Sequence, residues 1–413
     1  MAASSDVAAG TGGATAPPDS AKPVVCFLGP VASYTHQATL QAFPTDKFEL
    51  MPVVTIEDIF DTTQSGRAAY GVVPFENSTN GSVVFTLDCF ADRAGACPDL
   101  SVCAEIYQDV HHCLVGRRRP PRCSNDSDEG PTSGFPQSPS QGPSNTSTNP
   151  SQLSLCSPST PTHPDPDLSH IRRVYSHPQA FGQCTRFLGT RLRGVETVDV
   201  SSTSRAAELA RSEDDGASAA VCSAAAAEML GLDVLARNIE DRPDNATRFF
   251  VLRLGTGEEG GDVEGSLHRG APRRRRRSGA GGAPPLSSSG TFGNGDSGDA
   301  VTAAATATTK SLVSFTVPHR SPGALADVLD CFRRSGLNLT SINSRPDLPP
   351  PRARDDDEEG GGATPSFQYV FFVEFEGHRF RDPEGRVRDA LAGVAAAARA
   401  WRWLGSWENM LVA

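Results

Sequence analysis

Asp241-Arg-Pro-Asp-Asn-Ala-Thr-Arg-Phe-Phe-Val-Leu-Arg253 carries a polar turn, punctuated by Pro243, straight into the apolar, β-prone run 249–254, interrupted only by Arg253. A turn feeding a strand holds its last polar residues on a scaffold while leaving them open to a cleft. Asn245, Thr247 and Arg248 occupy that junction. A hydroxyl, a guanidinium and an aromatic ring in succession at Thr247, Arg248 and Phe249 suit a small anionic ligand. On its own the tripeptide also reads as the start of an ordinary edge strand, so the rest of the chain has to decide.

Working outward, the same unit recurs: a short apolar strand, a polar turn, a helix. Strand 24–28 ends in Gly29-Pro-Val-Ala-Ser-Tyr-Thr-His36, and a helical pattern follows through Ala38, Leu40 and Phe43. Unpaired N–H groups and the helix dipole make such a corner an anion site, and Ser33 and Thr35 add hydroxyls. The corner is neither a Walker loop nor a GxGxxG turn. Strand 69–74 runs into Phe75-Glu-Asn-Ser-Thr-Asn-Gly81, strand 171–176 into His177-Pro-Gln-Ala, strand 195–200 into Ser201-Ser-Thr-Ser204, and strand 219–222 into Ser223. Pro178 suits a first helical turn, and the serines read as N-caps. The recurrence predicts an α/β fold built on open parallel sheets, with ligands at the carboxyl ends of strands. Roughly 180 ordered residues between 23 and 255, divided near 110 and again near 230, suit two lobes around a cleft. His111 and His112 would face opposite sides of an extended strand, which makes them poor joint metal ligands.

Composition sets the outer limits. A net charge of −11 argues against a general nucleic-acid binder. The ten cysteines contain no CxxC pair and read as reduced thiols of an intracellular, cytoplasmic protein. No run reaches transmembrane length, and residues 1–20 hold neither an apolar h-region nor an arginine. Residues 1–22 read as a disordered tail, the Ser/Pro/Asn/Thr-rich stretch 117–168 as a disordered insertion, and 256–309, with five arginines at 273–277, as a solvated linker. Residues 310–413 are compact: strand 311–317, amphipathic helix 321–332, strand 337–346, strand 367–375, helix 387–398 and strand 401–407. The order βαββαβ gives a small ferredoxin-like domain.

Four stretches together resemble, in order, the motifs of prephenate dehydratases: Gly29-Pro-Val-Ala-Ser-Tyr-Thr-His-Gln-Ala38, Val73-Pro-Phe-Glu-Asn-Ser-Thr-Asn-Gly-Ser-Val83, Ser176-His-Pro-Gln-Ala-Phe-Gly-Gln-Cys184 and Asn245-Ala-Thr-Arg-Phe249. The C-terminal block, with Gly323-Ala-Leu-Ala326 and Leu337-Asn-Leu-Thr-Ser-Ile-Asn-Ser-Arg-Pro346, resembles the ACT regulatory domain attached to them. Ala32-Ser33 stands where the family more often has Gly-Thr, and Asn343 where the ACT motif usually has Glu. The resemblance implies a two-lobed, periplasmic-binding-protein-like catalytic domain over 23–255 and an ACT domain over 310–413. It implies a single-activity lyase of phenylalanine biosynthesis, since about 22 residues before the first strand leave no room for the chorismate mutase helices of some relatives.

The activity so implied converts prephenate to phenylpyruvate, water and carbon dioxide. Aromatisation drives it, so no metal or organic cofactor is expected. Thr247 is then expected to hydrogen-bond the departing hydroxide. Ser33, Thr35, Asn77, Ser78, Ser176, His177, Gln179, Arg248 and Phe249 are expected to surround the substrate, with Phe249 leaning to the core. The resemblance further implies feedback by phenylalanine through Gly323, Ala324, Leu325, Asn343, Ser344, Arg345 and Pro346, in a homodimer or homotetramer. Two other readings stand beside it: arogenate dehydratase, and a non-catalytic amino-acid sensor.

Overall fold

The computed structural model describes residues 22–118, 167–213, 216–255, 274–275, 308–347 and 368–412. The tail at 1–21, the insertion from 119 to 166 and the linker from 256 to 307, apart from Arg274 and Arg275, lie outside the described residues. The chain builds lobe 1 from β1 (Val24–Leu28), α1 (Tyr34–Ala42), β2 (Glu49–Val53), α2 (Ile56–Gln64), β3 (Tyr70–Asn77), β4 (Gly81–Ser82), α3 (Val84–Ala91) and β5 (Leu100–Asp109). It crosses at 110–112 into lobe 2: β6 (Cys113–Gly116), β7 (Arg173–Ser176), α4 (Pro178–Gly182), α5 (Thr185–Arg191), β8 (Glu196–Asp199), α6 (Thr203–Ser212), β9 (Ser218–Cys222), α7 (Ala224–Leu230) and β10 (Asp233–Ala236). Residues 237–245 return to lobe 1 and β11 (Ala246–Leu254). A two-residue strand β12 (Arg274–Arg275) follows. The C-terminal domain is β13 (Thr309–Thr316), α8 (Ala324–Arg334), β14 (Leu339–Pro346), β15 (Tyr369–Glu376), α9 (Arg386–Ala397) and β16 (Ala400–Glu408), with β17 (Leu411–Val412) pairing β12.

The C-terminal order βαββαβ is the expected one, in a sheet ordered β14-β15-β13-β16. That sheet does not end there. β16 joins β5 of lobe 1, and the ladder continues β5-β11-β3-β1-β2. Lobe 2 has its own sheet, β10-β6-β9-β7-β8.

The expected parallel sheets are mixed instead. β1 runs parallel to β2 and β3, but β11 is antiparallel to both β3 and β5. In lobe 2, β7 is parallel to β8 and β9, while β6 is antiparallel to β9 and β10. The reason is the double crossing: strands that carry the chain out of and back into a lobe cannot all follow right-handed βαβ connections. His111 and His112 lie in the first crossing, not in an extended strand.

Local signals explain the helix starts. Ser33, Ser202 and Ser223 accept the N–H three residues on, and Thr55 forms a reciprocal box with Asp58. Among the described residues no helix is long and apolar enough to cross a membrane.

One buried group in the C-terminal domain titrates in a useful range. His378 is 5% exposed and its Nδ1 accepts the Phe380 N–H at 3.1 Å. Burial first, then the charge of Arg381, pushes its pKa down to about 4. An unfolded imidazole titrates near 6.5. As pH falls below that value the unfolded chain takes a proton the folded one refuses, so stability is lost towards acid and unaffected above neutrality. In urea unfolding this group should account for about 1–2 kcal/mol lost between roughly pH 7 and pH 5. His378→Gln should remove that share while His36, His112 and His177, also lowered by burial, keep theirs.

Candidate active site

The ends of β1, β3 and β7 and the start of β11 meet at one cleft of about 600 Å³ between the lobes. Ser33, Thr35, Asn77, His177, Gln179, Thr247 and Phe249 all line it. No aspartate, glutamate, lysine or arginine is among the described lining residues. Polar contacts therefore come from hydroxyls, amides, imidazoles and main-chain N–H groups.

Three helices of lobes 1 and 2 begin at this wall. Ser33 caps α1: its Oγ accepts the His36 N–H at 3.1 Å and donates to the Leu28 carbonyl at 3.1 Å. That hydroxyl proton is committed to the main chain. His177 caps α4, its Nδ1 accepting the Gln179 N–H at 3.2 Å. Burial holds the His177 imidazole below its usual range, with Asp199 pulling the other way. In the neutral ring, with Nδ1 accepting, the proton sits on Nε2. Ser202 caps α6, and Ser201, Ser202 and Thr203 line the cleft as well.

Thr247 is half-buried at the second residue of β11, opposite Asn77 in β3 and Gln108 in β5. Its Oγ1 accepts from Asn77 Nδ2 at 3.0 Å. Phe249 follows on the same face; it is 1% exposed and packs with Val25, Phe27 and Ile106.

Three expected residues stand elsewhere. Arg248 points through the other face of β11, as the two-residue strand period requires. It is 6% exposed and pairs with Glu105 at 2.6 Å and with Glu374 of the C-terminal domain. Its guanidinium lies over Phe250, Phe75 and Tyr107 at 4.8, 5.5 and 5.8 Å. Ser176 is fully buried and donates to the Val221 carbonyl at 2.8 Å. Ser78 accepts the Ala246 N–H at 2.9 Å, tying one motif loop to another.

Two cleft groups, Tyr34 and Gln183, have no signal of their own in the sequence, and two others, His112 at the cleft and the buried Asn245 behind it, have partners that the sequence does not show. His112 Nε2 donates to Gln183 Oε1 at 2.7 Å, and Asn245 Nδ2 donates to the same oxygen at 3.0 Å. The Tyr34 hydroxyl sits 3.1 Å from His112 Nδ1. Burial holds His112 below the usual imidazole range, against the pull of its Gln183 bond. Glu240 clasps the two crossings, meeting His111 Nδ1 and the His112 N–H at 2.9 Å each. Gln183 and Asn245 both lay inside the quoted motifs, but their partners sit across the fold.

The residues expected to hold an effector divide. Gly323, at φ +84°, opens α8; Ala324 packs into the C-terminal core, Leu325 packs against it, and Ser344 is exposed. Asn343, Arg345 and Pro346 instead contact lobe 1. Ser82 Oγ donates to Asn343 Oδ1 at 2.7 Å, Arg345 grips Asp88 at 2.8 and 2.9 Å, and Arg93 donates to the Pro346 carbonyl. Burial pushes the Asp88 carboxyl up, but Arg345 and Arg93 outweigh it and hold the group below its usual range. Ser82 also lines the cleft, so β14 touches a cleft loop directly.

The sequence profile of the prephenate dehydratase family matches residues 25–123 and 155–256. A bifunctional chorismate mutase/prephenate dehydratase of Neisseria gonorrhoeae is 28% identical over 94% of this chain and 75% of its own length. A probable prephenate dehydratase of Saccharomyces cerevisiae is 27% identical over 85% of this chain and 86% of its own. Among solved structures, the prephenate dehydratase of Arthrobacter aurescens, crystallised with L-Phe, superposes with a TM-score of 0.60 at 24% identity over 94% of this chain and 90% of that one. The convergence of the four motif loops on one cleft agrees with these matches. Through residues 25–256, the chain belongs to the prephenate dehydratase family.

Proposed function

We propose that the chain catalyses the decarboxylative dehydration of prephenate to phenylpyruvate, with phenylalanine acting back on it through the C-terminal domain. The observation that carries the reading is Thr247, held at the cleft wall with its hydroxyl oxygen already bonded by Asn77. In the reaction the bond from the ring to its carboxylate breaks and CO₂ leaves. That electron pair enters the ring, the ring C–O bond breaks, and the hydroxide takes a proton to become water. Thr247 stabilises the charge developing on the departing oxygen by hydrogen bonding. A threonine is too weak an acid to supply the proton outright, so the net proton comes from solvent.

The lining supports prephenate over arogenate. The two differ in a keto acid against an amino acid, and an ammonium group would find no carboxylate among the described lining residues. The helix starts at Ser33 and Ser202 offer main-chain N–H groups to the substrate's carboxylates. The βαββαβ order and the β14 contacts to Ser82 and Asp88 support an ACT-type regulatory domain acting on lobe 1.

Thr247→Val should lower kcat by roughly 10²–10³-fold, the usual cost of one preorganised donor, with folding retained. Phenylpyruvate release from prephenate measures it, with and without added phenylalanine. Near-normal turnover in the variant would remove Thr247 from the mechanism. Phenylalanine binding without turnover of either prephenate or arogenate would replace the enzyme with a sensor.

A further inference from the structure

We propose that Asn77 is a positioning residue that sets the direction of the Thr247 hydroxyl; this rests on the reading of Thr247 above. A hydroxyl has one proton and two lone pairs, and it rotates to suit its neighbours. Which way the Thr247 proton faces is therefore decided by what occupies its oxygen.

The orientation of the Asn77 amide is fixed independently of Thr247. Its Oδ1 accepts two main-chain N–H groups of the following turn, from Thr79 and Asn80, at 3.0 Å each. A nitrogen there would face two donors, so the NH₂ must be the end that faces β11. From that end Nδ2 meets three acceptors: Asn245 Oδ1 at 2.9 Å, Thr247 Oγ1 at 3.0 Å and the Ala246 carbonyl at 3.2 Å. Thr247 can thus only accept from Asn77. Its own proton is left over, and the open space beside it is the cleft.

The polarity is set further back as well. Asn77 Nδ2 can only donate, so Asn245 must turn Oδ1 towards it, and that oxygen also takes the Thr79 hydroxyl at 3.3 Å. Its Nδ2 donates to Gln183 Oε1 on lobe 2. The bonds therefore keep one sense around Thr247, and the turn that fixes Asn77 is the motif loop 77–80 itself.

Asn77→Asp reverses the sense with almost no change of shape. A carboxylate still accepts the Thr79 and Asn80 N–H groups, so the turn keeps its bonds. It can no longer donate: it faces Asn245 Oδ1 and the Ala246 carbonyl without a proton, which is why unfolding is checked, and the Thr247 hydroxyl turns to donate to it, presenting a lone pair to the departing hydroxide. The experiment compares Asn77→Asp, Thr247→Val and the double variant with prephenate as substrate, with thermal unfolding as the check on folding.

Asn77→Asp should lower kcat roughly 10²-fold with KM within about threefold, and the double variant should be no slower than Thr247→Val alone. Losses that multiply in the double variant would overturn the proposal, as would a loss confined to KM. Normal kcat in Asn77→Asp beside an impaired Thr247→Val would overturn this proposal alone. Normal kcat in Thr247→Val would take the reading of Thr247 down with it. Should Asn77→Asp unfold, Asn77→Ala removes the donor without adding charge, and the same comparison with Thr247→Val decides.

Discussion

Arg248→Met should lower the unfolding free energy by about 3–5 kcal/mol, the usual consequence of removing one member of a buried charge cluster. The cluster holds two cations, Arg248 and Lys310, and two carboxylates, Glu105 and Glu374, each 6% exposed or less. Arg248 meets Glu105 at 2.6 Å and pairs with Glu374, and Lys310 stands 3.4 and 3.5 Å from the two carboxylates. Burial pushes the Glu374 carboxyl up, yet Arg248 and Lys310 hold it below its usual range. Glu374 thus adds stability above the ordinary carboxylate pKa, and that stability is lost as pH falls through its lower folded value. Methionine would leave two carboxylates facing one ammonium with no water to screen them. Charge balance can be restored by a second change. Arg248→Met with Glu374→Leu should recover part of the loss, because one anion then faces one cation. Urea midpoints of the two variants measure this. Equal losses in single and double variants would show that lost packing on Phe75, Tyr107 and Phe250 dominates, not uncompensated charge.

The same cluster marks where sequence reading stopped. That Thr247 begins a strand was legible, because a polar turn followed by apolar residues is a local signal. That Arg248 turns away was legible too, since neighbours in a strand face opposite sides. Reading the tripeptide as one substrate-facing unit ignored that period. What could not be read is the destination: Glu105 and Glu374 lie 143 and 126 residues away. Ser33, His177 and Ser202 were legible as helix starts because caps depend on three or four residues. Gln183 and Asn245 were not, because their pairing across the lobes spans 62 residues. Ala32 shows a middle case. Its φ of 70° is the left-handed conformation that glycine adopts more freely, which gives a physical reason for the glycine more usual at that position. The mixed sheets were beyond local reading, since strand direction follows from the two crossings and not from apolar runs.

Gly405→Ala should open the joint between the C-terminal sheet and lobe 1. Gly405 sits in β16 opposite Val102 of β5, the one residue pair in register between those strands. An added Cβ would stand 2.2 Å from the Val102 carbonyl oxygen and 2.7 Å from its nitrogen. Those are main-chain atoms in the middle of a ladder, so no side chain can swing aside. The φ of +146° is also one that alanine rarely adopts. Strain and overpacking together cost about 2–6 kcal/mol. Separating the sheets would also loosen Arg402 from the Cys97 and Leu100 carbonyls and Trp407 from Phe250. Gly189→Ala is the control: it lies in α5 with nothing within 4 Å of the new carbon, and should raise stability by about 0.4–1 kcal/mol. Lobe 1 and the C-terminal domain also touch through Arg345–Asp88 and Ser82–Asn343, so the opened form need not separate completely. Limited proteolysis and thermal unfolding should therefore show an exposed joint in Gly405→Ala before any loss of the catalytic lobes. A Gly405→Ala protein as stable as the parent would mean that these side-chain contacts, and not the continuous sheet, hold the two together.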